Sequence, residues 1–216
     1  MTRQADNDTL DGPIPSHKEG QTEGHIGIFG GSFNPIHTGH IAMARHLLQA
    51  TTLQEIWFMV SPQNPLKRNS YLLDDQKRLE MAQIALAHED RIKVSDFEFH
   101  LPKPSYTLHT LQALSKTYPR KTFSLIIGGD NWEAFDRWFG YQDILSDYSI
   151  LVYPRPNAHI DKSSLPPSVT VIDMPLLNIS STQIRQNIAE GKPITGLVPA
   201  EIEEMVIQNY REATPR

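Results

Sequence analysis

The chain has 216 residues, no cysteine, and 20 basic against 25 acidic side chains, which gives a formal net charge of −5. The lack of cysteine excludes a disulfide scaffold, a zinc ribbon and a cysteine nucleophile, and the negative charge argues against a generally basic nucleic-acid-binding protein. No apolar stretch approaches the roughly 18 residues that span a bilayer and no secretory signal is present, so we expect a globular cytoplasmic protein that binds neither nucleic acid nor membrane.

The first 24 residues differ from the rest of the chain in composition. They carry five acidic side chains (Asp6, Asp8, Asp11, Glu19 and Glu23) against Arg3 and Lys18. So few apolar side chains cannot bury enough surface to offset the entropy of ordering. Residues 1–24 are therefore predicted to form a disordered acidic leader, either a dispensable extension or a functional tail. We expect one domain over residues 25–211 and a C-terminal tail over 212–216.

From His25 onward, short apolar runs alternate with helical patterns. Extended segments are predicted at 26–29, 56–60, 92–99, 123–127, 150–153 and 169–172, because each is a short apolar or alternating run. Apolar residues at helical spacing predict helices at 39–50, 74–88, 107–116, 181–190 and 199–211. Strands alternating with helices predict an α/β fold, a single-domain, Rossmann-like, doubly wound parallel sheet. Such sheets bind ligands beyond the carboxyl ends of their strands.

The segment directly after the first strand, GGSFNPIHTGH at residues 30–40, is the most informative. Gly30 and Gly31 allow main-chain amides to approach an anion. His37 and His40 are three residues apart at the start of a helix, whose amides and dipole favour a phosphate. The spacing matches neither a P-loop nor a dinucleotide-binding loop, and it lacks the glutamate of the zinc-protease pattern. A phosphate site is the favoured interpretation, with metal ligation by the two histidines as the alternative.

A second segment, ISSTQIR at residues 179–185, has the same character. Ser180 is a typical helix N-cap, and the guanidinium of Arg185 matches phosphate oxygens. Taken alone, the segment is an ordinary cap followed by a surface arginine. Together with the glycine-histidine segment, it is predicted to form the opposite wall of one phosphate site.

These two segments resemble the signature pair of the nucleotidyltransferase superfamily related to class I aminoacyl-tRNA synthetases. Four more segments make residues 25–211 similar to bacterial nicotinate-nucleotide adenylyltransferases: PQNPLK at 62–67, PSYT at 104–107, IIGGDN at 126–131, and Phe135-x-x-Trp138. Two positions depart from the family pattern. Asn34 stands where the family often has aspartate, and the family's Pro-Pro-His-Lys is here Asn64-Pro65-Leu66-Lys67, which leaves Lys67 as the basic contact.

The resemblance implies a nucleotidyltransferase-type sheet and an enzyme of NAD biosynthesis. In that reaction nicotinate mononucleotide attacks the α-phosphate of ATP in line, without a covalent intermediate, and yields nicotinate adenine dinucleotide and pyrophosphate. Mg²⁺ is expected to accompany ATP, with no metal site in the protein itself. ATP and nicotinate mononucleotide are the expected partners, and the sequence does not decide whether the protein forms a homo-oligomer.

The same resemblance assigns roles to individual residues. The residues implied in catalysis are His37, His40, Lys67 and Arg185. Those implied in ATP binding are Gly30, Gly31, Ser32, Phe33, His37, His40, Ser181, Thr182 and Arg185. Those implied in binding nicotinate mononucleotide are Asn64, Tyr106, Thr107, Gly128, Asp130, Trp138 and Arg155.

Several of these roles have alternatives. Asp130 suits ribose hydroxyls or, alternatively, magnesium. Trp138 either stacks on the nicotinate ring or packs in the core with Phe135, and Arg155 either contacts the mononucleotide phosphate or lies on the surface. Trp57 and Trp132 are interpreted as core residues.

Three rival functions are left open. One is adenylyl transfer to nicotinamide mononucleotide, which differs from nicotinate mononucleotide in a single group. Another is transfer to a different phosphate acceptor such as phosphopantetheine. The third is a nucleotide-binding protein without catalytic activity, against which the intact histidine pair and the Ser-Ser-Thr-x-x-Arg segment argue.

Overall fold

A computed structural model describes residues 24–62, 72–156 and 158–212. Its strands are β1 (His25–Gly31), β2 (Glu55–Val60), β3 (Ile92–Ser95), β4 (Thr122–Gly128), β5 (Ser149–Tyr153) and β6 (Val169–Val171). All pairings are parallel, and the strands form one six-stranded sheet in the order β3-β2-β1-β4-β5-β6. The predicted doubly wound parallel sheet is confirmed. The order reverses between β1 and β4, which opens a crevice at their carboxyl ends.

The helices are α1 (Thr38–Ala50), α2 (Asp75–Ala85), α3 (Thr107–Thr117), α4 (Gly129–Trp132), α5 (Tyr141–Asp147), α6 (Ser181–Ala189) and α7 (Ala200–Glu212). Sequence patterning does not predict α4 and α5, because helices of 4 and 7 residues are too short to show a helical period. Among the residues that the structure describes, no helix combines the length and apolarity needed to cross a membrane.

The sheet is buried on both faces, which is why its strands are apolar runs without polar alternation. Ile26 and Ile28 of β1 pack with α3 and α5 on one face. Phe29, the next residue along, packs with α1, α2, α6 and α7 on the other. Trp57 and Trp132 are half-buried against the first of these cores, in agreement with their interpretation as core residues.

The extended segment predicted at 92–99 is wrong in its second half. Strand β3 ends at Ser95, whose hydroxyl accepts a hydrogen bond from the Phe97 N–H at 3.2 Å, and Phe97–His100 forms a 3₁₀ turn. A side chain that binds the backbone two residues on competes with strand pairing. Two predicted segments lie outside the described residues: the leader, except for Gly24, and residues 213–216 of the tail.

Candidate active site

A cleft of about 1000 Å³ opens at the carboxyl ends of β1 and β4. It brings together every predicted site residue that the structure describes: Gly30, Gly31, Ser32, Phe33, His37, His40, Tyr106, Thr107, Gly128, Asp130, Trp138, Arg155, Ser181, Thr182 and Arg185. The other two, Asn64 and Lys67, lie outside the described residues.

The loop after β1 reverses direction at Phe33, whose φ of 42° lies in the left-handed region. This conformation costs a residue other than glycine about 1–2 kcal/mol. Burial of the ring offsets the cost, since it stacks on Phe58 at 5.1 Å and meets Phe29 edge-on at 5.4 Å between ring centroids. Beside this turn, a β-carbon at Gly30 would meet no atom within 4 Å. The backbone at Gly30 is therefore open to a ligand.

The two histidines are stacked at the start of α1. Their ring centroids lie 3.6 Å apart with planes inclined by 20°. The main-chain N–H of His37 donates to Nδ1 of His40 at 3.2 Å. Nδ1 of His40 is therefore an acceptor, so the proton of a neutral His40 ring is on Nε2. The pair thus presents a defined hydrogen-bond donor.

Both imidazoles are held in the neutral form. Burial, with a smaller contribution from the Arg155 guanidinium, lowers the pKa of His37 to about 3. Burial, then the neighbouring His37 and Arg155, lower the pKa of His40 well below its ordinary 6.5. At pH 7 the pair therefore contributes N–H donors without positive charge. Positive charge in the cleft comes from arginines such as Arg155 and Arg185.

Gly39 makes the stacking possible. A β-carbon at this position would lie 3.0 Å from Nδ1 and 3.2 Å from Cε1 of His37. These distances are shorter than the optimal 3.5–4.0 Å separation of carbon atoms. The glycine between the two histidines therefore sets how close the His37 ring lies to the helix.

The N-terminus of α6 lines the same cleft. Ser180 caps the helix by accepting from the Gln183 N–H at 3.2 Å. The Ser181 hydroxyl donates to the Pro35 carbonyl at 2.8 Å, and Arg185 Nη1 donates to the Asn34 carbonyl at 2.7 Å. The two predicted phosphate segments are therefore in direct contact, and the Ser181 hydroxyl is used to join them.

Asp130 and Arg155 meet after β4 and β5. Arg155 Nε lies 3.7 Å from Asp130 Oδ1, and the guanidinium carbon lies 5.3 Å from the centroid of the Tyr153 ring. A β-carbon at Gly128 would come within 2.5 Å of Asp130 Oδ1 and 3.0 Å of Arg155 Cγ. Gly128 therefore permits the approach of an acid and a base beside the histidine pair.

Part of the cleft lining is aromatic. Trp138 is half-buried, packs on Phe135 at 5.3 Å between centroids and also lines the cleft, so its packing against the core leaves it accessible to a ligand there. Tyr106 lies 4.7 Å from the exposed ring of Phe139, and both line the cleft. Sequence reasoning did not single out Phe139.

Four buried side-chain atoms in the described part of the chain make no hydrogen bond within 3.5 Å: His37 Nδ1, Ser105 Oγ, Trp138 Nε1 and Arg155 Nε, of which Arg155 Nε has the ion pair with Asp130 at 3.7 Å. All four belong to residues that line this cleft. A buried polar group left unpaired costs about 1–3 kcal/mol. Their concentration in one place indicates that the cleft is built to receive a polar ligand.

Comparison with known proteins identifies the family. Residues 28–187 match the cytidylyltransferase-like family model. The chain is 52% identical over 182 residues to the Bacteroides fragilis protein named "Probable nicotinate-nucleotide adenylyltransferase", covering 84% of this chain and 90% of that one. A Bacteroides thetaiotaomicron protein of the same name is 46% identical over 187 residues, covering 87% and 93%. The chain belongs to the nicotinate-nucleotide adenylyltransferase family. The resemblance predicted from the sequence motifs is confirmed.

The solved structures agree at the level of the fold. The nicotinic acid mononucleotide adenylyltransferase of Plasmodium falciparum, complexed with NaAD, superposes with a TM-score of 0.75 at 22% identity, covering 88% of this chain and 98% of that one. The same enzyme complexed with APC gives a TM-score of 0.71 at 21% identity, covering 88% and 95%. The sheet of this family member is therefore of the nucleotidyltransferase type, as predicted.

Sequence reasoning missed the buried Arg78 of this adenylyltransferase. It donates to the Ser32 carbonyl at 2.5 Å, the Ser61 carbonyl at 3.0 Å and the Leu73 carbonyl at 2.8 Å, and it pairs with Asp75. Arg78 thereby joins the loops that follow β1 and β2, and its partners Ser32 and Ser61 both line the cleft. A signal was present, since a charged residue lies on the buried face of α2.

Sequence reasoning also missed Glu98. It lies in the 3₁₀ turn and lines the cleft. Thr110 Oγ1 donates to its carboxylate at 2.9 Å, and burial raises its pKa despite hydrogen bonds that lower it. Sequence reasoning placed Glu98 within a strand over 92–99, and a strand at that position gives no reason to expect a carboxyl group at the cleft.

Proposed function

We propose that the protein transfers the adenylyl group of ATP to the phosphate of nicotinate mononucleotide, forming nicotinate adenine dinucleotide and releasing pyrophosphate. The observation that carries the proposal is one cleft lined both by a stacked, neutral histidine pair and by a tryptophan whose buried Nε1 has no hydrogen-bond partner. The printed names of the relatives support the same reaction. We assign it to residues 25–211 and to the cytoplasm.

On the ATP side, the proposed contacts come from both phosphate segments. The main chain at Gly30, Gly31, Ser32 and Phe33 approaches the triphosphate, and His37 and His40 donate to it. Because the Ser181 hydroxyl is engaged by Pro35, Ser181 and Thr182 act through the main-chain N–H groups at the start of α6. Arg185 binds the departing phosphates, and Lys67 adds a further positive charge.

The chemistry proposed is a direct displacement. An oxygen of the mononucleotide phosphate forms a bond to the α-phosphorus of ATP, while the bond from that phosphorus to the bridging oxygen breaks and its electron pair leaves with pyrophosphate. The second pKa of the attacking phosphate is about 6, so no general base is needed at pH 7. Catalysis then rests on positioning and on hydrogen bonds to charge that develops during transfer. Neutral imidazoles suit this role.

On the acceptor side, Trp138 offers a flat face to the pyridine ring. Tyr106 and Thr107 stand at the start of the 11-residue helix α3, where the partial positive charge of the helix favours a carboxylate over an amide. This favours nicotinate over nicotinamide. Gly128 and Asp130 are assigned to the ribose and Arg155 to the mononucleotide phosphate. Asn64 completes the set from the sequence alone.

Magnesium is proposed to enter with ATP. Among the described residues no group of three or more histidines, aspartates and glutamates could hold a metal ion, and the acidic residues that line the cleft are Glu98 and Asp130. This donor set fits an ion carried on phosphate oxygens with at most one protein carboxylate, a common arrangement for Mg²⁺. Bound there, the ion would neutralise phosphate charge, and Asp130 would hold it only if that carboxylate served the ion in place of the ribose.

The test is an acceptor panel. The purified protein is given ATP and Mg²⁺ with nicotinate mononucleotide, nicotinamide mononucleotide or phosphopantetheine, and pyrophosphate release and the chromatographed products are measured. We expect the dinucleotide from nicotinate mononucleotide, with kcat/KM at least about tenfold above that for the amide. A higher kcat/KM with another acceptor would show that this acceptor, and not nicotinate mononucleotide, is the substrate. ATP binding without pyrophosphate release from any acceptor would favour a non-catalytic nucleotide-binding protein.

A further inference from the structure

The loop that carries the histidines is tied to a distant part of the chain. Besides the bonds from Ser181 and Arg185 described above, Thr38 donates through its main-chain N–H to the Leu197 carbonyl at 2.9 Å, and its hydroxyl donates to the same carbonyl at 3.0 Å. These partners follow the loop by more than 140 residues. The position of the loop is therefore set by the C-terminal part of the fold.

Asn34 is the centre of this arrangement. Its side-chain Oδ1 accepts from the Tyr210 hydroxyl at 2.6 Å and from the Leu73 N–H at 3.2 Å. Its main-chain carbonyl accepts from Arg185 Nη1 at 2.7 Å. Asn34 is 6% exposed and Tyr210 2% exposed, so water competes little for these hydrogen bonds. One residue thus joins α7, the segment before α2, and the arginine of α6.

Tyr210 lies in the last helix and is absent from the residues that line the cleft. Its hydroxyl nevertheless fixes the side chain of Asn34, three residues before His37. Since the carbonyl of Asn34 orients the Arg185 guanidinium, a shift of Asn34 moves groups proposed to act on the transferred and the departing phosphates. Misplacement of reacting groups by about 1 Å can lower a rate about a hundredfold.

We propose that Tyr210 is a positioning residue for adenylyl transfer, acting through Asn34 on the histidine loop and on Arg185. The inference rests on the proposed function and adds to it a residue outside the cleft. Tyr210 does not touch the reacting groups. It holds the histidine loop and Arg185, which are proposed to contact the phosphates, in their relative positions.

The test compares Tyr210→Phe with Tyr148→Phe. Each change removes one hydroxyl and keeps the ring, and the Tyr148 hydroxyl contacts Ser115 Oγ at 3.2 Å among residues that do not line the cleft. We expect Tyr210→Phe to lower kcat about tenfold with KM for both substrates within about twofold. Loss of a hydrogen bond should lower Tm by about 2–4 °C in both variants, and Tyr148→Phe should keep its kcat.

Variants of Asn34 show whether Tyr210 acts through it. Asn34→Asp keeps an oxygen that accepts from both donors, so it should retain most of the wild-type kcat. Asn34→Ala removes that oxygen and should therefore lose most of the wild-type kcat. In the Asn34→Ala background, Tyr210→Phe should have no further effect on kcat, since the hydrogen bond through which Tyr210 acts on Asn34 is already absent there.

The inference is overturned if Tyr210→Phe keeps wild-type kcat below its Tm, whatever its stability, or if its effect persists undiminished in the Asn34→Ala background. Wild-type protein that releases no pyrophosphate in the acceptor panel would instead overturn the proposed function. The two failures are therefore distinguished by which protein is inactive.

Discussion

The substitution Gly39→Ala is expected to affect the stability of α1 and the geometry of the histidine pair in different ways. Alanine is the better helix former, by up to about 1 kcal/mol in a helix interior, and Gly39 does not have the positive φ that would make alanine strained. The added methyl group, however, would lie 3.0 Å from His37 Nδ1. The His37 ring must therefore move by a few tenths of an ångström to accommodate it.

The size of the effect follows from that displacement. A misplacement of 1 Å lowers a rate about a hundredfold, so a few tenths of an ångström should lower kcat by about three- to tenfold. The better helix propensity of alanine raises the free energy of unfolding, and the close contact lowers it. The two effects oppose each other, so Tm should stay within about 2 °C of wild type. Steady-state pyrophosphate release and a thermal melt on the same preparation measure both quantities.

The control is the same change in a His37→Ala background. There the contact at Nδ1 is absent, and the nearest atom left is Ile179 Cβ at 3.5 Å, an ordinary contact distance. Gly39→Ala should then raise Tm by about 1–2 °C and leave the residual turnover unchanged. The reasoning is refuted if Gly39→Ala alone keeps wild-type kcat, or if it lowers kcat equally in both backgrounds.

Three more predictions concern the cleft. His37→Ala or His40→Ala should lower kcat at least about a hundredfold, and near-normal turnover in both folded variants would remove the pair from catalysis. Trp138→Ala should raise KM for nicotinate mononucleotide about tenfold and change KM for ATP little, so equal rises would contradict stacking on the pyridine ring. Because burial and Arg155 lower the pKa of His37 from 6.5 to about 3, its contribution to the free energy of unfolding should be complete above pH 6.5 and lost as the pH falls towards 3. In urea titrations at about pH 4.5, His37→Gln should recover roughly 2–3 kcal/mol of that loss, and identical pH profiles would contradict a buried neutral ring.

Local pattern was sufficient for most of the sheet. Strands such as β2 (Glu55–Val60) are short, largely apolar runs because parallel strands are covered on both faces, and this signal is present in the sequence itself. The short helices α4 and α5 and the 3₁₀ turn at Phe97–His100 were not predictable in the same way. They are too short to show a period, and each is stabilised by contacts with residues distant in sequence.

For the site too, some features could be predicted from local sequence and others could not. Sequence motifs predicted the two phosphate segments, because glycines and histidines follow a strand and a serine caps a helix, and every predicted site residue that the structure describes lines the cleft. They could not predict that Arg155 lies close enough to His37 to lower its pKa, since the two are 118 positions apart. Nor could they predict the partners of the residues that support the site, which are main-chain carbonyls for Arg78 and the Asn34 side chain for Tyr210. Main-chain carbonyls and buried hydroxyl groups have no sequence signature.

The sequence by itself therefore determined the kind of sheet and predicted which groups line its cleft. The tertiary structure decided their separations, their protonation and what holds them in place, because these depend on distances between segments that only the packed fold brings together.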